Sequence, residues 1–146
     1  MICSFFGHHN ASDKIRSTLE LTIKHLMSQG VNDFLVGNNG NFDYLAQCVL
    51  SEYSKKYGSI NFTVVFSNIN EHAIFANCHQ TIFPEGLEKA PPKFRISKRN
   101  DWILRHSQIV IFYLKNQFSN TQIFFEKAKK MGLQTINLAE KERKEI

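Results

Sequence analysis

Arg99 and Glu126 are the two residues of this chain whose types and spacing best suit chemistry on an anionic, sugar-bearing ligand. They lie in SKRNDWILRHSQIVIFYLKNQFSNTQIFFEKAKKMG, where a cationic helix runs into a hydrophobic strand and the strand's far end opens onto a second helix. That order can bring a guanidinium and a carboxylate to one crevice. A guanidinium forks onto phosphate through paired hydrogen bonds, and the amide of Asn100 can donate and accept toward a ribose or base. A cation and a carboxylate facing a crevice at a strand's carboxyl end suit a nucleotide or ribose-phosphate ligand. The plainer role for Glu126 is a solvated side chain beside Lys127, Lys129 and Lys130.

Three turns, each rich in small or amide residues, follow apolar runs: Gly7-His8-His9-Asn10, Gly37-Asn38-Asn39-Gly40-Asn41, and Asn116 to Asn120. In a doubly wound sheet, ligands sit beyond the carboxyl ends of the strands where strand order reverses. Gly37 and Gly40 allow close approach and positive φ, and the helix start behind them offers N–H groups to a phosphate. The same residues would serve an ordinary strand-to-helix turn, with Asn41 as cap and Asp43 complementing the helix dipole. The candidate ligand contacts are therefore Gly7, His8, Gly37, Asn38, Asn39, Gly40, Asp43, Arg99, Asn100, Ser119, Asn120 and Thr121. Trp102, next to Ile103, suits a core position or a stacking platform. The six histidines show no paired helical spacing, so no metal is expected. Neither a GxxxxGK[ST] phosphate loop nor a serine nucleophile elbow occurs.

The elements that must position these residues alternate between apolar runs and amphipathic stretches. MICSFF, DFLVG, INFTVVF, QIVIFYL and QTINL read as five strands. Helices are expected from Ser12 to Gly30, from the turn at Asn41 to Gly58, over 96–106 and over 121–131. Between Ser67 and Phe94 periodicity fails, and the stretch holds all three prolines. It reads as a functional loop with a short helix near His72 to Asn77. Continuous apolar strands between helices imply an α/β, three-layer Rossmann-like sandwich around a mainly parallel five-stranded sheet. Residues 1–139 form a single domain on this reading, and 140–146 a charged tail that is a solvated helical turn or frays.

Composition narrows the partners. At 146 residues and 42% apolar content, one domain buries most of its surface. Cys3, Cys48 and Cys78 are odd in number and lack CxxC spacing, which predicts reduced thiols and a cytoplasmic protein. No apolar run approaches the ~20 residues of a membrane span, and no signal peptide is expected. The net charge of +5 divides into −1 over residues 1–73 and +6 over 74–146. The basic half carries Lys89, Lys93, Arg95, Lys98, Arg99 and Arg105, which invites an anionic partner or lines a solvated face.

Taken in order, FFGHH, GNNGNFDYLA, FPEGLEKAPPKFRISKRNDWI and SNTQIFFEKAKKMGLQTINL resemble a small bacterial family of the SLOG superfamily, over nearly the whole chain. That superfamily joins DprA-type DNA-processing proteins, LOG phosphoribohydrolases (formerly "lysine decarboxylase-like") and nucleotide-sensing domains. The resemblance places the glycine-rich turn on Gly37 to Gly40, with Asp43 at its acidic position. It puts Arg99 and Glu126 where LOG enzymes carry their catalytic arginine and glutamate. Asn100 replaces a lysine, and Ser119-Asn120-Thr121 replaces glycine-rich sequence, a departure that bears on LOG-type hydrolysis. The resemblance implies a domain, serving as a sensor, that binds a nucleotide or other ribose-phosphate ligand. Alternatives are a LOG-like enzyme cleaving the N-glycosidic bond of a nucleoside monophosphate and a DprA-like binder of single-stranded nucleic acid. It implies no cofactor, and a homodimer.

Overall fold

The computed structural model describes residues 1–68 and 80–144. Strands β1 (Ile2–Gly7), β2 (Asp33–Val36), β3 (Asn61–Val65), β4 (Gln80–Ile82), β5 (Ile109–Tyr113) and β6 (Gln134–Asn137) and helices α1 (Arg16–Ser28), α2 (Asn41–Tyr57), α3 (Pro92–Arg105), α4 (Asn120–Lys130) and α5 (Leu138–Lys144) follow in the order β1-α1-β2-α2-β3-β4-α3-β5-α4-β6-α5 among the described residues. The six strands form one all-parallel sheet in the order β4-β3-β2-β1-β5-β6. The layered α/β architecture is the one expected, but the sheet has six strands, not five. The additional strand, β4, is a three-residue edge strand inside the stretch read as irregular. Its Gln-Thr-Ile sequence is too short to show a period, and only pairing with β3 makes it a strand.

The period-2 alternation of strand side chains builds two cores. On one face, Phe5 of β1 and Ile109, Ile111 and Tyr113 of β5 pack with Leu19 and Ile23 of α1, Leu45 and Val49 of α2, and Leu138 at the start of α5. On the other, Phe6, Val110 and Phe112 pack with Ile103 and Leu104 of α3 and Phe124 and Ala128 of α4. Phe6 stacks on Phe112 at 5.8 Å and on Phe124 at 5.7 Å between ring centroids, which ties α4 to β1 as well as to β5. Each fully buried ring of this kind contributes roughly 1.5–3 kcal/mol. This packing sets where the first turn of α4 lies.

Helix α3 begins at Pro92, four residues earlier than expected. Proline fits the first helical position because its missing N–H has no helical partner there and its φ is already set. Leu138 and Ala139 are buried, so the last helix starts against the sheet, and it runs to Lys144 over most of the stretch expected as a charged tail. The short helix expected near His72 to Asn77, and Cys78, lie outside the described residues.

Candidate functional site

β1 lies between β2 and β5, so the chain winds outward in both directions from it. At this switch point, beyond the carboxyl ends of β1 and β2, a cavity of about 610 Å³ opens between the inner face of α3 and the first turn of α4. Its floor depends on the absence of side chains. A Cβ on Gly7 would stand 2.3 Å from Phe42 Cγ, and one on Gly40 would stand 2.7 Å from His9 Cα. Gly40 also has φ of +102°, a backbone conformation that side-chain-bearing residues rarely adopt. The β1 and β2 turns therefore touch each other directly. The Asn41 N–H donates to the His9 carbonyl at 2.7 Å and closes the junction.

Arg99 crosses this floor. It is only 2% exposed although it sits in the middle of a helix with polar neighbours. Its Nε and Nη2 donate to Asn100 Oδ1 at 3.2 and 3.1 Å, and its Nη1 donates to Asn38 Oδ1 at 3.2 Å. Asn100 thus orients the guanidinium with the oxygen expected to face a ligand. The space beside Gly37 is bounded by Asp43 Oδ2 on one side and the Arg99 guanidinium on the other, both about 3 Å from where a Cβ would be. Asp43 accepts from the Asn39 N–H at 2.9 Å. Burial pushes the Asp43 carboxyl above its ordinary value, outweighing the opposing pull of Arg99, of the Asn39 N–H and of His9. Behind the turn, Gln47 Nε2 donates to the Gly37 carbonyl at 2.8 Å, fixing the peptide that faces the cavity.

The β5–α4 turn supplies the remaining wall. Ser119 stands at the N-cap of α4, but its hydroxyl donates back to the Asn116 carbonyl at 2.7 Å and does not cap the helix. The first turn of α4 contains no acidic residue. Its positive end accordingly faces the cavity through Ser119, Asn120 and Thr121. His8 reaches this turn from β1. Its Nε2 accepts from the Lys115 N–H at 2.8 Å and from the Asn116 N–H at 3.2 Å. Burial, and then the neighbouring Lys115 charge, hold the His8 imidazole below its ordinary pKa.

Of the candidates taken from the sequence, Gly7, His8, Gly37, Asn39, Asp43, Arg99, Asn100, Ser119, Asn120 and Thr121 line this one cavity. Asn38 touches it indirectly by holding Arg99, and Gly40 by seating the turn on His9. Glu126 is not brought there. It is exposed and accepts from Gln122 Nε2 at 2.7 Å along its own helix. Phe124 and Ala128 are the residues of α4 that face the core, and a position two residues from Phe124 lies about 200° around the helix. Trp102 is half-buried beside the second core and stacks on His106 at 4.0 Å, outside the cavity.

Several cavity residues were not among the candidates. Lys93, Ile96, Ser97 and Ile103 join Asn100 on one face of α3, and Ile123 faces them from α4. Spacings of three, four, seven and ten residues from Lys93 would have revealed that face had the helix been started at Pro92. Among the described residues, no three histidine, cysteine or acidic side chains gather in a way that could hold a metal ion. No described helix is long and apolar enough to cross a membrane.

The fold that builds this cavity is similar to that of a known structure. The X-ray structure of DNA processing protein A (DprA) from Streptococcus pneumoniae superposes with a TM-score of 0.67 at 18% sequence identity, covering 91% of this chain and 48% of that one. The likeness is one of fold. The chain spans about half the length of that protein. No family model matches the sequence, and no curated protein matches it.

Proposed function

We propose that the switch-point cavity binds a nucleotide or nucleotide-derived ligand by its phosphate. The observation that carries this reading is the convergence, on one cavity, of a buried arginine, Lys93 and the uncapped start of α4. A helix N-terminus presents N–H groups and a partial positive charge to an anion. Arg99 adds a guanidinium already held in place, so little side-chain entropy remains to be lost on binding. Ile96 and Ile123 give the rim an apolar surface on which a base can lie. On this reading Asp43, at the cavity wall, accepts from a ribose hydroxyl with the carboxyl oxygen that Asn39 does not take.

The fold shared with DprA agrees with a nucleotide-related role and leaves a nucleic acid as the larger alternative anion. A cavity of about 610 Å³ is of the size a small ligand fills, and that favours the nucleotide. Thermal-shift and calorimetric titration with nucleoside mono-, di- and triphosphates and ADP-ribose tests the proposal. Binding by one class, weakened at least tenfold in Lys93→Ala, is the expected result. A folded protein that binds none of the panel refutes it.

A further inference from the structure

Resting on the reading of the cavity as an anion site, we infer that His8 is a positioning residue, a proton-sensitive latch that holds the β5–α4 turn against β1. The evidence is geometric. Both polar groups meeting His8 Nε2 are backbone N–H donors, those of Lys115 and Asn116. The nitrogen must therefore present its lone pair, which fixes the neutral tautomer protonated on Nδ1. A proton added at Nε2 would point at two N–H groups and lie beside the Lys115 ammonium. The bonds cannot survive it.

What the latch holds is the approach to the anion wall. Asn137 fixes the end of β5 by exchanging hydrogen bonds with Leu114 at 3.0 and 3.1 Å. Beyond Asn116 the turn is closed on itself, with the Phe118 N–H donating to Asn116 Oδ1 and Ser119 donating to the Asn116 carbonyl. His8 ties this self-closed unit across to the β1 side, directly before Ser119, Asn120 and Thr121. Phe118, at its tip, is 97% exposed, so no packing at that residue substitutes for the tie. The groups around the imidazole are Lys115 on the turn, the Tyr113 ring of β5 edge-on at 6.0 Å, the adjacent His9, and Asp43 of α2, which faces His9.

The direction of the pH dependence follows. The unfolded chain takes up this proton near the ordinary histidine value of about 6.5, and the folded chain resists it to a lower pH. The latch is closed above the ordinary value and opens as pH falls through the lowered one. Loss of the site on acidification is therefore driven by the protein, separately from any protonation of the ligand.

Amide exchange measured by NMR tests the latch without a ligand. Protection factors for the Lys115 and Asn116 N–H groups should be high at pH 7.5 and fall by up to about tenfold per unit once His8 protonates. His8→Gln places a non-titrating oxygen near Nε2, so it should keep protection at pH 5.0. His8→Ala should lose it at every pH. Equal protection in wild type and His8→Ala, or wild-type protection that does not fall below that of His8→Gln across the pH range in which the His8 ring itself titrates by NMR, overturns the latch. Adenosine 5′-monophosphate serves as the binding probe, and its own titration cancels between wild type and His8→Gln. Wild-type affinity should fall further than that of His8→Gln as pH drops through the range in which the His8 ring titrates, and an identical fall in both overturns the link to the site. If no binding occurs at pH 7.5 while the amides behave as described, the nucleotide reading fails and the latch stands.

Discussion

Replacing Arg99 with alanine should destabilise the fold by about 3 kcal/mol at neutral pH and shift that loss with pH in a particular direction. The substitution removes three hydrogen bonds at 3.1–3.2 Å and leaves Asn38 Oδ1, Asn100 Oδ1 and the Asp43 carboxylate without the cation they surround. Removing one partner from a buried charged pair typically costs about 3–5 kcal/mol. The lower end applies because the adjoining cavity lets water reach the orphaned groups. For a chain of this size, that corresponds to roughly 6–12 °C in Tm. Asp43 gives the pH signature. Its carboxyl is already raised in the folded state, and losing Arg99 removes an opposing pull, so it rises further. A group whose folded pKa is raised adds stability at low pH that is lost as pH climbs through that pKa. The deficit of Arg99→Ala should thus shrink as pH is lowered from 7.5 toward 5. Asp43→Asn in the Arg99→Ala background should recover about half of it. Urea denaturation of the four proteins of this cycle at both pH values measures these quantities. Additive effects, or a deficit that grows on acidification, would refute the buried Arg99 and Asp43 coupling.

Gly7→Ala should lower stability by about 1–3 kcal/mol through overpacking against Phe42, whose Cβ, Cγ and Cδ2 all lie within 2.7 Å of the added methyl position, and a denaturation midpoint will show it. Glu126→Ala should leave both Tm and nucleotide affinity unchanged, because the side chain is exposed and outside the cavity. A tenfold loss of affinity in that variant would return Glu126 to the site. Cys3 is fully buried and burial raises its thiol pKa, so a thiol reagent at pH 8 should leave it unmodified in the native protein and label it in urea, as mass mapping of the adducts will distinguish.

The sequence made the layered fold legible because β1 and β5 are mostly apolar runs, β3 is rich in β-branched residues, and helix-period stretches stand between most of the strands, and these signals are local. β4 was not legible, since its three residues become a strand only by pairing with β3. The site was half legible for a related reason. Glycines at turns advertise close approach, and Gly7, Gly37 and Gly40 each proved to be crowded by a neighbouring segment. The face of α3 was obscured because Pro91-Pro92 reads as a break, whereas Pro92 opens the helix. Glu126 misled because a spacing from a motif says nothing about helical phase. Once α4 is anchored by Phe124 and Ala128, phase turns Glu126 outward.

The cavity joins two layers that otherwise have separate cores. Asn38 and Asp43 belong to the layer of α2, and Arg99 belongs to α3 on the opposite face of the sheet, 61 residues from Asn38. Their contact exists only after the sheet has formed between them, so no local pattern could have predicted that Asn100 spends its amide oxygen on Arg99. That expenditure bears on recognition. With the Asn100 oxygen turned inward and Asp43 the buried acceptor, the groups offered to a ligand on the proposed reading are mostly donors: Lys93, Ser97 and the start of α4, with the buried Arg99 guanidinium as the positive charge behind them. On that reading donors of this kind read a phosphate, while Ile96 beside them on α3 and Ile123 across from them on α4 contact a base without hydrogen-bonding to its edge. Discrimination against an unphosphorylated nucleoside should therefore be strong and discrimination between bases weak, because an apolar surface distinguishes similar rings by only about 1–3 kcal/mol.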